Sequence, residues 1–406
     1  MPKIKIVDAI MGAGKTSMAI QMIKQDVVSN YIYITPFLSE VQRIKQNCNN
    51  RRFTEPYDIG SGKLDSLHNL LKDGKNIAST HALFRMANEV TLELLRSNDY
   101  ILILDEVVDV IEQLPLRKDD LPSILSLKLA TVENGFLIWN PKHMNYDGKY
   151  NDIKTMALNK TLMIINNTLL MWNFPVSVFN SFKEAYVLTY MFSAQIQKYY
   201  YDLHNVEYEY YCVQKDVTCT TKDKYILVNW EDRDPYDKTN IKNNINVLLD
   251  DPINKIGDNY FCLSSTWFEK PANSELIITL KNNIINYFKN KVKGKSNENM
   301  WTSFKSSKKK LSGRGYTKGF VAVNARATNE YSSKCKLAYC TNIFLNPIIK
   351  QFFIDKGVSV EEENFALSEM LQWIWRSAIR NNEKINIYIP SKRMRDLLLN
   401  WLDNEQ

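Results

Sequence analysis

The sequence predicts an α/β protein built on parallel sheets, and three observations predict it. Short runs rich in Ile, Val and Tyr alternate with stretches of helical period. A glycine-containing loop ending in Gly-Lys-Thr joins the first such run to the first helical stretch. Further along, a block of aliphatic residues ends in Asp-Glu. Strands alternating with helices imply a sheet whose strands run the same way.

The first element is Lys3–Asp8 (KIKIVD), a short buried strand with β-branched residues. Ala9-Ile10-Met11-Gly12-Ala13-Gly14-Lys15-Thr16 follows, and then the helical pattern SMAIQMIKQ. Strand, glycine loop, GKT and helix make a phosphate-binding loop, with Ala9 where the strict pattern has glycine. The chemistry needs these residue types. Gly12 and Gly14 let backbone N–H groups face phosphates. The helix N-terminus adds partial positive charge. Lys15 reaches the β- and γ-phosphates of ATP, and the Thr16 hydroxyl ligates Mg²⁺. The nucleotide-binding set is therefore Gly12, Ala13, Gly14, Lys15, Thr16 and Ser17.

Tyr31–Thr35 (YIYIT) and Asn76–Thr80 (NIAST) are the next strands. Tyr100–Glu106 (YILILDE) reads as a central strand, because Ile101 to Leu104 suit burial on both faces. Asp105 then falls at the carboxyl end, where open α/β sheets bind ligands, and is placed to hold Mg²⁺. Glu106 is placed to polarise the attacking water. From about Leu114 to Lys183 the chain reads as an insertion, with Trp139, Trp172 and Phe174 as core aromatics.

The second half repeats the alternation without a Gly-Lys-Thr loop. Its expected strands are Asn259–Leu263, Met300–Phe304, Gly319–Val323, Lys336–Tyr339 and Ile385–Ile389. Its expected helices are Ser274–Val292, Asn342–Phe353 and Ala366–Ile379. A polar, proline-containing linker, Asn229–Thr239, separates two lobes, 1–228 and 240–406.

Composition narrows the class. With 406 residues, 45% of them hydrophobic, the chain has ample material for sizeable cores. Six cysteines without a CxxC pair argue for reduced thiols and against a disulfide framework or zinc ribbon. Four dispersed histidines argue against a histidine-rich metal site. No apolar run approaches the roughly 20 residues of a membrane span, and the N-terminus lacks the apolar core and cleavage site of a secretory leader. The expected setting is the cytoplasm, with no membrane partner and a monomeric chain. A formal charge of +7 permits a polyanionic partner.

The order of these motifs resembles superfamily 2 helicases, the DEAD/DEAH-box-like group, and in particular those encoded by bacteriophages. Ala9–Thr16 is similar to motif I, Thr35-Pro36 with the helix through Arg43 to motif Ia, and Ser79-Thr80-His81 to the Ib region. Asp105-Glu106-Val107-Val108 is similar to motif II, and Val187–Ala194 occupies the place of motif III. Asn324–Glu330 (NARATNE) is similar to motif V and Gln372–Arg380 (QWIWRSAIR) to motif VI. Trp375 stands where motif VI has Gly, and the second Arg falls one place late.

The resemblance implies two RecA-like lobes with an insertion between motifs II and III. It implies ATP and Mg²⁺ held between the lobes, with Lys15 and Glu106 catalytic. Arg376 or Arg380 would be the arginine finger; four apart, they are expected to share one helix face. It implies Thr189 as the coupling residue, and strand contacts from Thr35, Pro36, Arg43, Thr80, His81 and Thr328. The implied partner is nucleic acid, single-stranded DNA ahead of RNA, together with replication proteins, inside a bacterial host.

Lys289–Lys318 carries ten Lys and Arg residues against Glu298 alone. Lys308, Lys309, Lys310 and Arg314 are expected to track a phosphate backbone. Trp301, Phe304 and Tyr316 are expected to stack on bases, and Gly294, Gly313 and Gly315 to give the stretch mobility. Two other readings share the phosphate loop. A nucleic-acid-independent ATPase switch predicts no stimulation by a strand, and a nucleotide kinase predicts a single lobe.

Overall fold

The computed structural model describes residues 4–404 except 59, 61, 167, 217–223 and 325–329. The chain is a mixed α/β protein with parallel sheets. It divides into two compact units. One comprises residues up to Asp8, Lys15–Leu227 and Ile348–Val360. The other comprises Ala9–Gly14, Val228–Pro347 and Glu361 onward.

The first unit is organised on β1 (Ile4–Asp8), β2 (Tyr31–Thr35), β3 (Ile77–Thr80) and β4 (Ile101–Asp105). An antiparallel sheet interrupts the series: β5 (Ile111–Gln113), β6 (Ala130–Glu133), β7 (Phe136–Trp139), β8 (Leu162–Ile165) and β9 (Leu169–Asn173). The main sheet then resumes with β10 (Glu184–Thr189), β11 (Tyr208–Lys215) and β12 (Tyr225–Asn229). Its order is β12-β11-β1-β10-β4-β2-β3, and every pairing from β11 to β3 is parallel. β2 is buried at every residue and β4 at all but Asp105, as a sheet covered on both faces requires. The interrupting sheet has the order β5-β9-β8-β7-β6. Trp139, Trp172 and Phe174 are buried in its neighbourhood, so the aromatics of this region are core.

The second unit holds a four-stranded sheet of β13 (Ile245–Val247), β14 (Asn299–Thr302), β15 (Lys336–Tyr339) and β16 (Ile385–Tyr388). The order is β13-β16-β15-β14 and all three pairings are parallel.

Several expected elements differ. Asn259–Leu263 is not a strand but a turn. Leu263 takes φ +61°, which ends any extended run, and the Ser264 side chain caps the helix Ser265–Glu269. Gly319–Val323 contributes only an isolated bridge, Trp301 to Phe320. A Cβ at Gly319 would lie 2.2 Å from the Asn299 carbonyl oxygen, so this approach requires glycine. The helix expected over Asn342–Phe353 starts only at Pro347, the residue type suited to a first turn.

The helix expected over Ala366–Ile379 spans Glu362–Ile374. The Ser377 hydroxyl donates to the Ile374 carbonyl at 2.6 Å, and Ser377 is extended (φ −85°, ψ −170°). Arg376 therefore lies in a turn and Arg380 in the separate 3-10 turn Ala378–Asn381. The two arginines do not share a helix face.

Candidate active site

The carboxyl edge of the first unit's parallel sheet gathers the polar residues. Asp8 pairs in register with Thr189, Leu188 with Asp105, and Thr35 with Thr80. In open α/β sheets this edge, where strands hand over to helices, is where ligands bind.

The loop after β1 carries two glycines in the left-handed region, Gly12 at φ +85° and Gly14 at φ +101°. A Cβ at Gly12 would meet nothing within 4 Å, so the constraint there is conformational rather than steric. α1 (Lys15–Gln25) follows, with Met18, Ala19, Ile20 and Ile23 buried and no acid in its first turn. Its positive end is thus left to whatever anion approaches.

Lys15, the first residue of α1, is buried. Burial pulls its pKa down, while the carboxylates of Glu106, Asp8 and Asp105 push it back up. The Thr16 hydroxyl lies 3.5 Å from Asp105 Oδ2. Asp105 Oδ2 also accepts a hydrogen bond from the Tyr33 hydroxyl at 2.7 Å. Burial and the neighbouring Glu106 charge raise the Asp105 carboxyl to about 7, against the opposing pull of Tyr33 and Lys15. Glu106 takes φ +70°, a conformation rare for a side chain of this size, and its N–H donates to the Leu188 carbonyl at 2.9 Å. The Val108 N–H is held by the buried Gln197 side chain at 2.9 Å. The Asp-Glu turn is therefore fixed at three points by its neighbours.

The donor set suits Mg²⁺ with a triphosphate. Thr16 and Asp105 offer hard oxygen ligands, and Mg²⁺ characteristically takes one or two protein ligands alongside phosphates and water. A buried ammonium beside a helix N-terminus suits phosphate oxygens. Among the described residues, no group of three or more His, Cys, Asp or Glu could hold a metal by itself.

Asp8 and Tyr33 are site residues that sequence reasoning passed over. Asp8 accepts the N–H groups of Met191 and Phe192, each at 2.8 Å. An acid closing the strand before a phosphate loop was the available signal. Nothing local marks Tyr33, whose role depends on β2 lying beside β4.

The expected strand-contact residues are divided. Thr35 is fully buried, and its hydroxyl has no hydrogen-bond partner among the described residues. Pro36 and Thr80 are half-buried, and His81 is buried at the start of the helix His81–Phe84. Arg43 forms an ion pair with Glu40 at 3.0 Å. Thr189 is fully buried at the end of β10. Thr328 lies outside the described residues. In the second unit, Arg376 is buried and its Nη1 donates to the Val323 carbonyl at 3.2 Å, whereas Arg380 is exposed.

Lys308, Lys309 and Lys310 are exposed on the short helix Lys308–Leu311, and Arg314 is exposed beyond it. Lys310 Nζ donates to the Phe268 carbonyl at 3.1 Å, and Lys308 sits 4.6 Å from the Phe320 ring centre. Trp301 and Tyr316 are fully buried and Phe304 packs against the same core, so these aromatics are structural and not stacking platforms. The region is built of short regular elements around that core.

Comparison with known proteins fixes the family. The chain is 48% identical over 418 residues to "SPbeta prophage-derived uncharacterized protein YonV" of Bacillus subtilis (strain 168), covering 100% of both sequences. The chain belongs to the YonV family. The family model described as "YonV C-terminal Rossmann-like domain" matches residues 239–402, and the one described as "YonV middle domain" matches residues 111–172. The first match contains all four strands of the second sheet, and the second nearly coincides with the antiparallel sheet.

Among solved structures, Xpd4 of S. tokodaii superposes with a TM-score of 0.46 at 12% identity, over 98% of this chain and 94% of that one. The DUF1998 helicase MrfA bound to DNA gives 0.33 at 10% identity, over 99% of this chain and 46% of that one. Both TM-scores lie below 0.5. Among the described residues, no helix is long and apolar enough to cross a membrane.

Proposed function

We propose that the protein is an ATP hydrolase of helicase or translocase type that works on single-stranded nucleic acid, its two units acting as RecA-like lobes. One observation carries the reading. A buried lysine and a threonine open a helix directly after a two-glycine loop, and the threonine hydroxyl lies 3.5 Å from the acid that ends a neighbouring parallel strand. Lys15 would hold the β- and γ-phosphates, with backbone N–H groups of residues 12–17 beside it. Thr16 and Asp105 would hold Mg²⁺, which neutralises phosphate charge when bound. Glu106, fixed in its left-handed conformation, would orient the attacking water. Arg376 or Arg380 would supply the positive charge that stabilises the transferring group, a contribution of about 10³–10⁵ in rate in related systems.

On the same proposal Thr35, Pro36, Arg43, Thr80, His81 and Thr328 contact the strand, and Thr189 couples strand and nucleotide. Lys308, Lys309, Lys310 and Arg314 hold phosphates, which needs no base stacking. The prophage association of the B. subtilis relative supports a role in phage DNA metabolism, inside a bacterial cell and alongside replication proteins.

The rival reading, an ATPase switch indifferent to nucleic acid, draws support from the burial of Trp301 and Tyr316, which removes a stacking surface. Steady-state hydrolysis by Lys15→Ala, Arg376→Ala and Arg380→Ala tests the assignment. Lys15→Ala should abolish hydrolysis, and only one arginine change should lower kcat while leaving nucleotide affinity intact. Wild-type turnover by Lys15→Ala would contradict the site.

A further inference from the structure

β2 is buried at every residue, and its side chains alternate between two faces. Ile32 and Ile34 line an apolar cavity on one face. Tyr33, on the other face, is fully buried. Its ring fills the core as a phenylalanine would, and a buried hydroxyl is costly unless it is hydrogen-bonded. That hydroxyl donates to Asp105 Oδ2 at 2.7 Å. The register explains the reach. Tyr33 pairs with Ile103, so Asp105, two residues further along β4, lies on the same face as Tyr33. Such diagonal neighbours are roughly 7–8 Å apart, within reach of an aromatic side chain. The same oxygen, Oδ2, lies 3.5 Å from the Thr16 hydroxyl in the first turn of α1. One carboxylate oxygen thus meets a fixed donor from β2 on one side and the hydroxyl of the phosphate loop on the other. A charge-assisted bond from a rigid ring restricts the rotation of the carboxylate.

We infer that Tyr33 is a positioning residue for Asp105, its hydroxyl holding Oδ2 toward Thr16 so that the two oxygens converge on one Mg²⁺; this rests on reading the phosphate loop as a triphosphate site. Outer hydrogen bonds of this kind orient carboxylate ligands, and losing one costs roughly 10–100-fold in metal affinity. Tyr33→Phe keeps the ring and its packing and removes the donor. Asp105→Asn removes the carboxylate that the donor serves.

The test is Mn²⁺ binding followed by electron paramagnetic resonance, with a saturating non-hydrolysable ATP analogue, on wild type, Tyr33→Phe, Asp105→Asn and the double variant. Tyr33→Phe should weaken Mn²⁺ binding by at least about tenfold. Asp105→Asn should weaken it more, and adding Tyr33→Phe to Asp105→Asn should change little, because the hydroxyl acts through that carboxylate. A merely structural hydroxyl predicts losses that add, or no loss. A second readout needs no removal of the hydroxyl. In otherwise wild-type protein carrying 3-fluorotyrosine at position 33, the fluorine resonance should shift when Mg²⁺ joins the bound analogue. Wild-type Mn²⁺ affinity in Tyr33→Phe, additive losses, or a fluorine signal indifferent to Mg²⁺ overturns the inference alone. Failure of wild type to bind the analogue overturns the triphosphate reading and this inference with it.

Discussion

Lys15 shows how one side chain can be costly for the fold and useful to the site. Its ammonium is buried at the head of α1, where burial disfavours charge and three acids restore it. Lys15→Ala is therefore expected to lose at least about 10² in hydrolysis, the scale of a removed transition-state donor, without lowering the melting temperature. Parallel activity and thermal-melt measurements check this. Asp26 gives the opposite case, a residue of stability alone. Ser29, Val28 and the Tyr31 hydroxyl hydrogen-bond its carboxylate and hold its pKa below the usual range. A depressed carboxyl stabilises the fold above its unfolded pKa, about 3.9, and that contribution is lost as pH falls below it. The urea-midpoint gap between wild type and Asp26→Asn should be full at neutral pH and shrink below about pH 4. A gap independent of pH contradicts the assignment. At this scale the sequence was legible wherever chemistry dictates residue type at short range, as in Gly12, Gly14, Lys15 and Thr16. It was silent on Tyr33, which meets Asp105 only because β2 lies beside β4.

Among the elements, legibility followed hydrophobic continuity. The strands β2 and β4 are unbroken apolar runs, and both were readable. β13 is three residues in a polar surround and gave no signal. The apolar run Asn259–Leu263 misled because its side chains go to different places: Leu263 is buried while Phe261 is 64% exposed. The helix bearing Trp373 was read too long because apolar periodicity continues through Ile379. Its actual end is set by the Ser377 hydroxyl and by the turn that places Trp375 against Trp401, ring centres 5.8 Å apart. The basic segment divides into a core part and a surface part. Trp301→Ala should cost about 3–5 kcal/mol in chemical denaturation, as expected for a fully buried large aromatic. Replacing Lys308, Lys309 and Lys310 together by Ala should change stability by less than about 0.5 kcal/mol per site. The same triple change should lower the slope of log K against log salt for single strands by about 2. An unchanged slope would remove this face from the nucleic-acid interface.

For the whole molecule, both parallel sheets were foreshadowed by alternating strands and helices, whereas the antiparallel sheet of residues 111–173 was not. Its strands are only three to five residues long, and β5 pairs with β9 from far along the chain, so no local pattern marked the sheet. Family membership places that sheet and the second parallel sheet in two separately recognised domains. The central claim concerns the remainder, where Lys15, Thr16, Asp105 and Glu106 meet at one sheet edge. ATP turnover of wild type and Glu106→Gln, with and without single-stranded DNA or RNA, tests it most directly. The account predicts that a strand accelerates wild-type hydrolysis and that Glu106→Gln binds ATP but scarcely turns it over on any strand. Wild-type hydrolysis that ignores both nucleic acids, or a Glu106→Gln protein as active as wild type, would contradict it.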